Sequence, residues 1–511
     1  MPDIAAQLRW AWPAVVALAQ VACAQTTVSA PVPAPVSPPV SVAAPPQSAA
    51  AAAAAVPAGR LPAEVEAALA RAQVPLDAVS VVVMDAGGRQ RPLVDFHGAV
   101  PRNPASVMKL VTSFAALELL GPAYTWDTPV FADGAVQGGV LHGNLYLQGV
   151  GDPKLVMERL WLLLRHLRAR GIDSIAGDIV LDRSAFALPP IDPARFDNEP
   201  YRPYNAVPDA LLLNYKSLTL TLVPDAAAGV ARVLAEPALA GLQIPATVPL
   251  ARGKASTSSS AACGDWRAAL KPDFSDPARL RLAGSYPPAC GEKSWSLAPA
   301  PAELFAPRML EGMWRELGGR LGGAVRSGSV PPGLAPLTTI SSPSLAEVVR
   351  DINKYSNNVM AQQVFLTLAR QRASVGSFEG GRQAVAEWWS RRLPGVAQPV
   401  IDNGAGLSRD ARISADALAR MLALAWNSPV MPELMAALPI VGVDGTLKHS
   451  KSAHAGGAHL KTGTLRDATA IAGYVDAANG RRLVVAAIAN DERAVAARAA
   501  WDALVDWAAA Q

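Results

Sequence analysis

Near both ends of the chain the apolar positions follow strand-like spacing. VSVVVMDAGG (79–88) is a β-branched run closed by Gly-Gly, which predicts a strand entering a hairpin. ATAIAGYVD (468–476) and RLVVAAIAND (482–491) flank Ala-Asn-Gly and predict a second hairpin. The segment that follows, AARAAWDALVDWAAAQ, spaces Ala, Leu, Val and Trp as a helix does, and Trp501 and Trp507 read as core residues. Strands at both ends with a terminal helix predict one sheet assembled from both ends of the chain.

The middle is patterned differently. From about 125 to 335 it breaks into short β-like runs separated by turn residues, among them VLHGNLYLQGVG, GDIVLDRSAF and SLTLTLVP. Helical spacing returns at Ser344, where SLAE forms a capping box ahead of VVRDIN. PASVMKLVTS (104–113) is apolar or small almost throughout, as a buried helix is. Asn103 suits its N-cap and Pro104 its first position, which places Ser106 in the first turn. No repeat of fixed period runs along the chain.

The N-terminal pattern suits neither domain nor membrane span. Residues 10–22 form an apolar run after Arg9 that is too short to cross a bilayer but suits the hydrophobic region of a signal peptide. Ala22-Cys23-Ala24 then offers a small-residue cleavage pattern, so 1–24 read as a signal peptide and the protein is expected in the periplasm. A lipoprotein signal ending at Cys23 ranks below this, because Gln20 stands where such a signal usually has an aliphatic residue. Residues 25–60, rich in Pro and Ala, read as a linker.

Composition narrows the function. The chain of 511 residues is 51% hydrophobic and 17% charged, which predicts two or three globular domains. Its net charge of +4 is spread along the length, and no basic stripe with interleaved aromatics is present, so nucleic acid is not an expected partner. With Cys23 removed, Cys263 and Cys290 remain. Export favours a disulfide between them over two unpaired thiols.

The chemistry lies in three short motifs. Lys109 follows Ser106 by three residues, on the same face of the expected helix. A lysine in apolar surroundings loses its proton more easily, and a neutral lysine can activate a serine. Ser-x-x-Lys by itself is common, and such a lysine usually reaches out to water. Here, however, Ser356-Asn357-Asn358 is the only Ser-x-Asn of the chain and sits where one helical pattern stops and another begins. Lys461-Thr462-Gly463 is the only Lys-Thr-Gly and directly precedes the C-terminal hairpin.

That ordered set resembles the signature of penicillin-binding proteins and serine β-lactamases. The 250 residues between Ser106 and Ser356 are similar to the long insertion of one family, the class C low-molecular-mass penicillin-binding proteins or D-alanyl-D-alanine carboxypeptidase/endopeptidases of peptidase S13. GDPKL (151–155), GDIVLDRSAF (177–186), DNGAGLSRDARIS (402–414) and VDGTLK leading to HLKTGTL (443–465) resemble that family too. Where the family more often has Asp-Gly-Ser-Gly, this chain has Asp-Asn-Gly-Ala-Gly, a tolerated loop variation.

The resemblance implies an α/β (α+β) fold. A transpeptidase-like domain with a central antiparallel sheet flanked by helices is expected from 61–111 and 336–511. A second domain is expected from 112–137 and 208–335, and a nested third from 138–207. It implies an acyl-serine hydrolase acting on peptidoglycan stem peptides and acylated by β-lactam antibiotics, without metal or cofactor.

Ser106 is the implied nucleophile, Lys109 its base, Ser356 a proton relay and Asn358 a holder of the substrate amide. Lys461 supplies positive charge, and Thr462, Gly463 and Thr464 receive the substrate, with the N–H groups of Ser106 and Thr464 facing the oxyanion. Arg409 and Asp197 are candidates for the charged groups of a diaminopimelate side chain. A β-lactamase, and a penicillin-sensing or cell-wall-binding module with little turnover, are the alternatives. His449, His454 and His459 match no zinc spacing and read as a polar loop. LGGRLGG (317–323) lacks the Lys-Ser/Thr of a phosphate loop.

Overall fold

The computed structural model describes residues 59–511 except 89 and 252–262. The expected signal peptide and nearly all of the linker lie outside the described residues. Helix α1 (Ala63–Arg71) leads into strands β1 (Val79–Asp85) and β2 (Val94–Phe96), which form the expected hairpin. Helix α2 (Lys109–Leu120) follows. After the long middle segment come α3 (Leu345–Tyr355) and α4 (Asn358–Ala373). Strands β3 (Ala458–Leu465), β4 (Ala468–Asp476) and β5 (Arg482–Asn490) and helix α5 (Arg498–Ala509) close the chain.

The two ends build one five-stranded antiparallel sheet in the order β2-β1-β5-β4-β3. Alternation along its strands divides the side chains between two cores. Val79, Val81 and Val83 join Leu483, Val485 and Ala487 under α1 and α5, where Trp501 is buried as expected. Val82 and Met84 join Val484, Ala486 and Ile488 on the other face, against α2, α3, α4 and the helix Ala415–Trp426. Helix α2 lies inside this layer and is buried on every side from Lys109 to Leu117. Strand β3 is left at the sheet edge.

The middle segment is β-rich but not only β. MERLWLLLRHLRA is a helix, Met157–Ala169, and Phe305–Glu316 is another. Both bury one apolar stripe, such as Leu160, Leu163, Leu164 and Leu167, in the middle core. The strands also group differently from the expected boundaries. Leu145–Gln148 and Ile179–Asp182 share a five-stranded sheet with Asp127–Ala132, Val325–Ser327 and Thr338–Ser341. The four-stranded sheet of Leu218–Asp225, Val230–Glu236, Thr247–Pro249 and Lys293–Leu297 stands apart in pairing. Residues 138–207 therefore pair with the flanks of the insertion, and 218–297 form the inner sheet. The reason is length: strands of two to four residues carry too little alternation to announce their partners. Cys263 and Cys290 are bonded, with Cα atoms 4.7 Å apart.

Candidate active site

Ser106 is not in the first turn of an α-helix. Pro104 is followed by a 3₁₀ turn, Ala105–Met108, and α2 begins only at Lys109. Pro104 rather than Asn103 stands at the N-cap of this turn, and Asn103 braces the approach to it, its side-chain oxygen accepting the Ala105 N–H at 2.9 Å. Ala105 has φ +49°, a conformation that non-glycine residues rarely adopt and that surrounding contacts must hold. One such contact is with Gly406, where a Cβ would collide with the Ala105 carbonyl and the backbone itself has φ +74°. Gly406 of DNGAG thus lets that loop close over the serine turn.

The turn also presses against the edge strand. A Cβ at Gly463 would collide with the Pro104 carbonyl oxygen and stand 3.0 Å from the Ser106 nitrogen. Only glycine lets β3 approach this closely, which brings Lys461-Thr462-Gly463 beside Ser106 as the sequence implied.

Lys109 lies beside Ser106. It is fully buried, and its Nζ lies 3.0 Å from Ser106 Oγ, 2.6 Å from Asn358 Oδ1 and 2.6 Å from the Ala405 carbonyl. Asn358 Nδ2 donates to the Tyr204 carbonyl at 3.0 Å, so the amide oxygen must face the lysine. Burial, and then the nearby Lys461, lower the Lys109 pKa well below its ordinary value. A neutral amine has two N–H bonds and one lone pair. In that form the two carbonyl-type oxygens would take the N–H groups and leave the lone pair for the Ser106 hydroxyl.

Ser356 ends α3 in the left-handed conformation, with φ +57° and ψ +38°. Asn357 then caps α4 by accepting the Met360 N–H at 3.1 Å. This tight helix-to-helix corner points Ser356 Oγ toward Lys461 Nζ, 3.0 Å away. Lys461 is buried, its Nζ also donates to the Thr462 carbonyl at 2.6 Å, and burial brings its pKa down to about 7. Ser106, Ser356, Thr462, Gly463 and Thr464 line one cavity of about 790 Å³. Thr462 shares a 2.7 Å hydrogen bond with Thr446, and Thr464 Oγ1 accepts from Arg498 at 3.2 Å.

The structure adds to or changes four expectations. The Asn358 amide meets a protein group at each end, Lys109 Nζ at its oxygen and the Tyr204 carbonyl at its nitrogen, and keeps a second N–H beyond those two contacts. Arg409 is ion-paired with Asp467 at 3.0 Å and stacks over Phe196, so it does not stand as a free cation. Asp197 accepts from Tyr204 Oη and Asn205 Nδ2, both at 2.8 Å, and so braces the loop that brings the Tyr204 carbonyl to Asn358. His459 is in β3 rather than in a loop. Among the described residues no cluster of His, Cys, Asp or Glu could hold a metal.

The sequence did not reveal the roles of Ala405, Tyr204, Thr446 and Arg498. The first two act through backbone carbonyls, which no residue type announces. The others become neighbours of the motifs only in the fold.

A family model described as the D-Ala-D-Ala carboxypeptidase 3 (S13) family matches residues 61–511. A D-alanyl-D-alanine carboxypeptidase of Actinomadura sp. (strain R39) is 29% identical over 439 residues, 83% of this chain and 80% of that protein. The crystal structure of penicillin binding protein 4 (dacB) from Haemophilus influenzae superposes with a TM-score of 0.68 at 23% identity, covering 86% of this chain and 99% of that one. The same Haemophilus protein complexed with a β-lactam gives 0.64 at 22% identity, over 86% and 99% of the two chains. The shared fold, the three motifs around one cavity and the match over 61–511 place the chain in the D-Ala-D-Ala carboxypeptidase 3 (S13) family.

Proposed function

We propose that this protein cleaves the D-alanyl bond of peptidoglycan stem peptides, at the terminal D-Ala-D-Ala and at D-alanyl cross-links, through an acyl-Ser106 intermediate. Its family makes it a serine-type hydrolase. The observation that carries the residue assignment is the buried Lys109 Nζ, within hydrogen-bond distance of Ser106 Oγ, Asn358 Oδ1 and the Ala405 carbonyl and of no carboxylate.

In this reading Ser106 Oγ attacks the D-alanyl carbonyl carbon while its proton passes to Lys109. The oxyanion is held by the N–H groups of Ser106 and Thr464, worth about 2.7–4 kcal/mol each in such sites. As the C–N bond breaks, the leaving nitrogen takes a proton through Ser356, which is hydrogen-bonded to Lys461. With the proton that Lys109 took now on the leaving amine, water attacks the ester, its proton passes by way of Lys109 to Ser106 Oγ as the ester C–O bond breaks, and the new carboxylic acid leaves. The hydroxyls of Thr462 and Thr464 and the positive charge of Lys461 suit the carboxylate beside the scissile bond. Penicillins present a strained amide and a carboxylate to the same groups and acylate the same serine. The apolar run at 10–22 supports export to the periplasm, where this substrate lies.

The test is mass spectrometry after incubation with benzylpenicillin, together with D-alanine release from a pentapeptide. Wild type is expected to carry one penicilloyl group and to release D-alanine, and Ser106→Ala to do neither. An adduct that survives in Ser106→Ala would remove the nucleophile assignment.

A further inference from the structure

A buried ion pair stands beside the site and takes no part in the acyl transfer described above. Lys354 lies in the last turn of α3, two residues before Ser356. The helix dipole favours a lysine there, but such a side chain ordinarily extends to water. This one is only 4% exposed, and its Nζ lies 2.6 Å from Asp444 Oδ2. Burial pushes the Asp444 carboxyl up, yet the hydrogen bonds from Lys354 and the Ile440 N–H, with the Lys354 charge, leave it below its ordinary value. The pair is therefore ionised at neutral pH.

Asp444 belongs to a segment, 439–447, that rides on the edge strand β3. The Pro439 carbonyl accepts the Leu460 N–H at 2.9 Å, and Ile440 is bridged to His459. Farther along, Thr446 Oγ1 and Thr462 Oγ1 are 2.7 Å apart. The segment meets α3 again at Gly445, where φ is +55° and a Cβ would stand 2.6 Å from the Lys354 carbonyl oxygen. By contrast, the corner 354–358 and β3 share one direct hydrogen bond among the described residues, between Lys461 Nζ and Ser356 Oγ at 3.0 Å. That is the bond the proton relay uses, and a single hydrogen bond adds little net to the hold between two elements. The other contacts close a ring around it. They run from Lys461 along the strand to Thr462, across to Thr446, back through Gly445 and Asp444 to Lys354, and along the chain to Ser356.

We propose that Lys354 and Asp444 are positioning residues for the proton relay: the pair locks the α3–α4 corner to the segment that rides on β3 and so fixes Ser356 Oγ against Lys461 Nζ. The inference rests on the acyl-serine reading above. Neither residue lines the cavity at Ser106, so each acts through Ser356 and the strand rather than on the substrate. The effect is confined to the step that needs the relay. An amide nitrogen leaves as an amine only when it takes a proton, whereas a thiolate leaves without one.

The experiment compares a D-alanyl-D-alanine peptide with its thioester analogue, in which sulfur replaces the scissile nitrogen, on the wild type, Lys354→Met and Asp444→Asn. The asparagine variant keeps an acceptor for the Ile440 N–H and removes only the charge. In both variants kcat/KM for the peptide, and the rate of benzylpenicillin acylation, are expected to fall about tenfold or more, and kcat/KM for the thioester by less than about threefold. The amplitude of benzylpenicillin uptake counts the intact Ser106 sites, so misfolded protein is not read as slow enzyme. If a single variant does not fold, Lys354→Met with Asp444→Leu replaces the whole pair by apolar groups and is expected to show the same selective loss. Equal falls on peptide and thioester, or an unchanged rate on the peptide, would overturn the positioning role while leaving acyl transfer in place. A wild type that takes up no penicillin on Ser106 would overturn both.

Discussion

Two buried lysines face two serines, and each is held by backbone and amide oxygens rather than by carboxylates. With no anion to stabilise their charge, burial sets their protonation. Lys109→Arg keeps a cation at every working pH, removes the lone pair, and is expected to lower penicillin acylation by about 10²–10⁴. A stopped-flow acylation rate checks this. Lys461 leaves a signature in stability. Its pKa is about 7 in the fold and 10.5 in an unfolded chain, so between these values the unfolded state binds more protons. Stability should therefore rise with pH across that window, by at most about 1.4 kcal/mol per pH unit from this group. Denaturant titrations from pH 7 to 10 should show a flatter rise for Lys461→Met than for the wild type. A steeper or equal slope in the variant contradicts the assignment.

At the scale of elements, the site is a set of close approaches between the serine turn, the α3–α4 corner, the 402–406 loop and the edge strand β3. Gly463 is where two of these touch. Gly463→Ala is expected to push β3 from the Pro104–Ser106 backbone and misplace the oxyanion donor, lowering acylation by about 10²-fold. Its thermal stability should fall by about 1–3 kcal/mol, as overpacking does. Unchanged acylation would show that the strand need not lie so near. Much of this scale was legible in the chain. The capping box at Ser344 forms, with both of its reciprocal bonds, and the C-terminal hairpin pairs Ala468 with Asn490 through Asp476 with Arg482. Such features depend on residues a few positions apart. The 3₁₀ turn at Ser106 depends instead on Gly406 and Gly463, some 300 or more positions along the chain, so local capping rules placed the helix start too early.

The whole molecule separates its chemistry from its insertion. Ser106 and its neighbours stand on the sheet made by the chain ends, while Cys290 belongs to the core of the middle segment. Reducing the Cys263–Cys290 bond, which closes a 27-residue separation, is expected to destabilise the middle segment by roughly 3–4 kcal/mol in the chain-entropy account. Penicillin acylation should persist under the same mild reduction, and its loss would show that the two cores are coupled.

The sequence alone determined the sheet from both chain ends, the order of the three motifs, and the corner and strand that carry the second and third of them. Period-two alternation, turn residues and caps act over a few positions and can be read there. Only the tertiary structure decided what those motifs do. Lys109 Nζ is held by an amide and a carbonyl 249 and 296 residues away, and the Asn358 amide is itself held by the Tyr204 carbonyl. The pairing of the short middle strands was settled in the same way. Buried polar groups must find partners and close approaches must be free of side chains, and both conditions join distant parts of the chain.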